Sequence, residues 1–294
     1  MRQTHRRAVP AAAARETSGP EFFPARRLPR GTWLGVLVVG AGLFELLQQA
    51  LIATKNPNLV PSLILVGSVA IPGAFVAFIY SRRLPYDVPG GVLAVVALTG
   101  GVIGVIVAGT LEYATLRHLG TLPMIAVGLI EETAKLIVPA LLLLWGRYRR
   151  PADGLLIGVA SGAGFAVLET MGYGFVVLII SHGNLSAVDG VLMTRGLLSP
   201  AAHMTWTGLT AAALWSAAAS GWSRVATLRF IGMYLLAVAL HTAWDSIGTI
   251  TGYIILAVIA LAALGYITHQ LREQAPADSE AEVLLRDRMG PGAR

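Results

Sequence analysis

Residues 122–145 read Leu122-Pro-Met-Ile-Ala-Val-Gly-Leu-Ile-Glu131-Glu132-Thr-Ala-Lys135-Leu-Ile-Val-Pro-Ala-Leu-Leu-Leu-Leu-Trp145. Two carboxylates and a lysine interrupt an apolar run that exceeds the roughly 20 residues a helix needs to cross about 30 Å of hydrocarbon. Segments near 32–53, 60–80, 91–111, 154–180, 200–220, 229–248 and 250–269 meet or approach the same length. About eight hydrophobic spans result, and the expected fold is an all-α, polytopic membrane helix bundle.

Whole-chain composition agrees. Of 294 residues, 55% are hydrophobic and 13% charged, and the mean hydropathy is +0.68, far from a soluble domain. The 33 glycines and 6 tryptophans suit helices packed closely in lipid, with aromatic rings near the headgroups. With no cysteine in the chain, disulfides and thiolate metal sites are excluded. A net charge of +6 raises the question of nucleic acid. The arginines, however, lie between apolar segments and in the tails rather than on one amphipathic face, so no nucleic-acid partner is expected.

Those arginines report topology instead. Lysine and arginine are retained on the cytoplasmic side of short loops. Alternating from a cytoplasmic N-terminus places Arg82, Arg83, Arg147, Arg149, Arg150, Arg224 and Arg229 inside, with both termini cytoplasmic, and leaves only Lys55, Arg117 and Arg195 outside. Residues 1–30 are basic, rich in Ala, Pro and Gly and without apolar period, and are expected to be a disordered cytoplasmic tail. Residues 31–270 are expected to form the membrane domain and 271–294 a solvated, partly helical cytoplasmic C-terminal tail. No short apolar stretch with a small-residue cleavage site precedes the first span, so a removed signal peptide is not expected. The halves show no repeated span pattern, which weakens an inverted-repeat transporter architecture.

Ionisable side chains inside the spans are the functional candidates, because a charge at the bilayer centre costs several kcal/mol. Glu131 and Lys135 are i, i+4 neighbours that can pair on one face, while Glu132 points roughly 100° around the axis. One carboxylate is thereby held charged and the other left free to exchange a proton, as activating a water requires. A structural ion pair is the plainer account. The fifth span adds Gly164-Phe165-Ala-Val-Leu-Glu169-Thr170, the sixth opens Pro200-Ala-Ala-His203, and the seventh ends His241-Thr-Ala-Trp244-Asp245. His241 and Asp245 again share a face at i, i+4. Imidazoles can orient a substrate, stabilise an oxyanion or bind a metal, and a lone histidine on an apolar helix is more often structural. Counting about 1.5 Å per residue brings all six acids and histidines toward one layer outside the midplane, with His203 nearest the outer surface. Glu45 in Phe44-Glu45-Leu-Leu-Gln48-Gln49 reads as a polar contact between helices, and Gly100-Gly101-Val-Ile-Gly104 as close packing.

These residues resemble the PrsW family of intramembrane proteases. Glu131-Glu132-Thr-Ala-Lys135 is similar to its EExxK motif, Phe165-Ala-Val-Leu-Glu169 to its FxxxE motif, and His241-Thr-Ala-Trp244-Asp245 to its HxxxD motif, with His203 where a histidine is expected. The order also agrees. Thr170 departs from the pattern, which has asparagine after the second-motif glutamate. The family is related to the CAAX prenyl endopeptidases and the bacterial CPBP proteins, which carry EExxxR. The resemblance implies peptide-bond hydrolysis within or beside the membrane, with Glu131 or Glu132 polarising water. His203 or His241 would stabilise the oxyanion and Asp245 would orient His241.

The expected function is therefore a glutamic-type endopeptidase in the cell membrane, needing no cofactor and acting on a single-pass membrane protein in the bilayer. Anti-sigma factors are the substrate class the resemblance implies. Zinc held by the same Glu and His set is the alternative, although no HExxH helix supports it. Buried Glu, His and Asp also suit a proton-coupled transporter, and an inactive relative would be a membrane scaffold.

Overall fold

The computed structural model describes residues 28–82 and 84–289, with side chains through residue 273. The basic stretch expected to be disordered lies almost wholly outside the described residues. Among them the chain is helical: α1 (Thr32–Thr54), α2 (Val60–Tyr80), α3 (Gly90–Leu119), α4 (Met124–Trp145), α5 (Pro151–Ile180), α6 (Leu185–Leu198), α7 (His203–Ala219), α8 (Arg224–Ser246) and α9 (Ile250–Met289). Short 3-10 turns, Pro57–Leu59 and Ser199–Ala201, lead into α2 and α7.

Six helices are long and apolar enough to cross a membrane: α1, α2 with its 3-10 turn, α3, α5, α8 and the first part of α9. The two remaining spans expected from sequence are α4, which carries Glu131, Glu132 and Lys135, and α7, which is 17 residues long. α6 is a helix that the hydropathy reading left between spans, at 14 residues too short to cross. α3 continues to Leu119, well past its expected end, and the helical backbone of α9 runs through Met289 into the stretch expected to be a solvated tail.

α5 is the hub, packed on α2, α3, α4, α6 and α7. Its closest partner is α7, and the reason is a stripe of glycines at four-residue spacing. A Cβ on Gly158 would lie 2.5 Å from the Thr207 carbonyl oxygen, and one on Gly162 would collide with the carbonyl of His203. Small residues let backbones approach where lipid gives no hydrophobic drive between helices. The contact fixes the height of His203 against α5.

Proline sets the α4 register. Pro139 has no N–H to bond the carbonyl of Lys135 four residues back, and the fully buried Ser161 hydroxyl of α5 donates to that carbonyl at 2.7 Å. The α2–α3 loop is tied down at the same end as the start of α5. Buried Asp153 accepts from the backbone N–H of Asp87 at 2.6 Å, of Val88 at 3.0 Å and of Arg150 at 3.1 Å.

Candidate functional site

The centre is the ammonium of Lys135, which is 0% exposed. Its Nζ lies 2.8 Å from Glu132 Oε1, 3.1 Å from Glu131 Oε2 and 2.7 Å from His203 Nδ1. The Phe165 ring packs 4.4 Å away on a further side. The sequence paired Lys135 with Glu131 and turned Glu132 away. In the structure both carboxylates reach it, because i, i+3 neighbours are also adjacent on a helix surface and a lysine stem is flexible.

His241 of α8 closes the cluster. Its Nδ1 is 2.9 Å from Glu132 Oε1, and its Nε2 is 3.5 Å from Glu131 Oε2 and 3.3 Å from Asp245 Oδ2, so both ring nitrogens face carboxylates. His203 is equally committed. The Lys135 ammonium donates to its Nδ1, which leaves Nε2 as the N–H, 3.0 Å from Glu169 Oε2. Trp206 packs against both imidazoles with ring centroids 5.6 and 5.2 Å away, and Trp244 and Tyr253 continue the aromatic wall. All six expected acids and histidines, with Lys135 and Phe165, are thus brought into one connected cluster. His203 sits at the depth of Lys135 rather than nearer the surface, because α6 carries the chain back from the C-terminal end of α5 before α7 begins.

Two atoms are anomalous. Glu131 Oε2 and Glu169 Oε2 are buried and have no aligned hydrogen-bond donor among the described residues, although cations stand close to both. A buried polar atom left this way calls for an explanation.

Arg195 reads from sequence only as an outer-side charge, and the structure adds it to the cluster. From α6 its Nη2 contacts Glu169 Oε2 at 2.6 Å, its Nε donates to Thr170 Oγ1 at 3.4 Å, and its guanidinium stacks 4.1 Å over Tyr173. Thr170, the departure from the family motif, is therefore an Arg195 partner. The available signal was an arginine stranded in an apolar stretch. Glu112 of α3, whose buried Oε1 has no hydrogen-bond partner among the described residues, lies within the electrostatic reach of Glu169, Lys135, His241 and Asp245 and was missed because α3 was ended too early. Glu45 accepts from Gln49 on its own helix at 2.7 Å, and the contact between helices is instead Gln48 to Asp189 of α6 at 2.5 Å.

The donor set can also hold a metal. One donor atom each from Glu131, His203 and His241 lie within 4.8 Å of one another, a carboxylate and two imidazoles. The residues fit a divalent cation in type and spread, and the orphaned Glu131 Oε2 is one of the oxygens available to it. The Lys135 ammonium competes for two of these side chains.

A family model described as PrsW family intramembrane metalloprotease matches residues 88–267. No curated protein and no solved structure is similar enough to count as a match. The matched stretch is well over half of the chain, begins just before α3 and contains the whole cluster on α4, α5, α7 and α8. This multi-pass helical membrane protein therefore belongs to the PrsW family of intramembrane proteases.

Proposed function

We propose that the chain hydrolyses peptide bonds of single-pass proteins of the cell membrane, outside the midplane, with a water activated by Glu131. Glu131 Oε2 carries this reading: it is buried and held beside Lys135 and His241, yet it has an unused lone pair. Glu132 has the opposite character, its Oε1 taken by Lys135 and by His241 Nδ1. Glu131 accepts a proton as the water oxygen attacks the carbonyl carbon, and returns it to the amide nitrogen as the C–N bond breaks. Lys135 and Glu132 hold the geometry, Asp245 orients His241, and Glu169 orients His203. The positive-inside bias supports a cytoplasmic basic end with both termini, which turns the cluster toward the outer leaflet. Membrane-anchored anti-sigma factors, whose cutting would begin a signalling cascade, are the substrate class we favour.

The test is a mass-spectrometric search for new membrane-protein termini in cells carrying the wild-type chain or Glu131→Gln at matched folded levels. Termini near the outer face should fall by about 10²–10⁴-fold in the variant. Identical termini in both would sink the protease reading in favour of transport or scaffolding.

A second reading rests on the 4.8 Å grouping of Glu131, His203 and His241. A zinc ion held there would supply Lewis-acid activation and lower the pKa of its water. Metal analysis separates the two readings: stoichiometric zinc whose removal abolishes cleavage favours this one, and full activity after chelation favours Glu131 alone.

A further inference from the structure

Hydrolysis of an amide needs a donor for the carbonyl oxygen as it gains charge, and counting N–H groups around the cluster leaves few candidates. The Lys135 ammonium already faces three acceptors. His203 Nε2 faces Glu169, and both nitrogens of His241 face carboxylates. The indole N–H of Trp206 has no acceptor among the described residues, but the residue is 1% exposed and sealed behind the two imidazoles.

Arg195 differs on each point. A guanidinium has five N–H donors in a rigid fork. Here one is used by Thr170 and one is directed at Glu169, and the side chain remains 27% exposed. It lines a cleft of about 120 Å³ together with Thr170, Thr194, His203, Trp244 and Tyr253. That cleft reaches the cluster from between α6 and the α8–α9 side. Glu169 and the Tyr173 ring hold the guanidinium in place, so its free donors are preorganised rather than mobile. α6 itself is anchored through Asp189 to Gln48 of α1.

We propose that Arg195 is the principal donor to the carbonyl oxygen of the scissile peptide bond, holding it in the ground state and stabilising the oxyanion of the tetrahedral intermediate. The proposal rests on the protease reading above. It replaces the imidazoles in that role and gives α6 a catalytic part that its length and hydropathy do not suggest. The bond-making steps are unchanged: the negative charge that forms on the carbonyl oxygen is neutralised by hydrogen bonds from the Nη groups, and no proton is transferred to it.

The experiment uses the full-length protein in vesicles and a synthetic membrane-spanning peptide bearing a cut sequence from the terminus search. Arg195→Ala and Arg195→Gln should lower kcat by about 10²–10³-fold with KM changed only a few-fold. Millimolar guanidinium should restore part of the lost rate in Arg195→Ala and none in Glu131→Gln. Rates within threefold of wild type in either variant overturn the proposal. So does a lost rate that guanidinium leaves unrestored in a variant melting like wild type, and so does loss of folded protein in both variants, which would assign Arg195 to structure. Undiminished cleavage by Glu131→Gln is a separate pattern and overturns the protease reading itself.

Discussion

Lys135 is a buried cation whose loss would strand two carboxylates. Breaking such a pair by removing one partner costs about 3–5 kcal/mol, chiefly because the remaining charges stay buried and uncompensated. Lys135→Met should therefore melt far below wild type in detergent, and removal of both acids in a Glu131→Gln, Glu132→Gln, Lys135→Met protein should recover much of the difference. Equal melting of Lys135→Met and wild type would mean that the acids do not depend on the ammonium. The identity of these residues was legible, because any charge inside an apolar span is conspicuous. Their roles were less so. Helical spacing paired Glu131 with Lys135, but it could not show that Glu132 would be claimed from across the bundle by His241, 109 positions away. Arg195 was conspicuous in the same way, but counting charges for topology gives a residue a side of the membrane and no partner.

The α4–α5 contact makes a sharper case for how elements are registered. Ser161→Ala should cost about 1–3 kcal/mol by orphaning the Lys135 carbonyl. Pro139→Ala supplies the missing N–H, so the same serine change made in that background should cost much less. A double-mutant cycle on melting in detergent reads the coupling. Additive effects would show that Ser161 and Pro139 act independently and that something else fixes the register. Most elements were visible from hydrophobic length alone, as α1, α2, α5 and the start of α9 show. The α6 helix was not, because Asp189 and Arg195 break its apolar run and its 14 residues fall below any spanning length. Its helicity comes from packing on α2 and α5, where Val188 and Leu192 meet Leu63 and Ile64, and that is tertiary information.

Across the whole molecule the alternating path follows the arginine pattern. Arg30 and Arg272 each lie close enough to Arg82 to repel it, Arg150 pairs with Asp87 at 3.3 Å, and the Trp215 indole N–H bonds the Tyr148 carbonyl at 2.9 Å. The ends of α2, α4 and α7 and the starts of α3 and α5 therefore share one pole, the pole the basic loops marked in the sequence. The opposite pole is built unevenly, for α6 turns back before crossing while Met193 and Leu197 on it face outward. A helix of 14 residues is about 21 Å long, short of the roughly 30 Å of hydrocarbon, and such mismatch is relieved by local thinning at fractions of a kcal/mol per Å. A substrate helix must unwind before any of its peptide bonds can be attacked, and its freed amides are expensive in deep hydrocarbon. Thinning beside α6 would lower that expense. The cut should accordingly slow as the acyl chains of the host vesicle lengthen, and a rate indifferent to chain length would mean that the substrate unwinds without help from the bilayer.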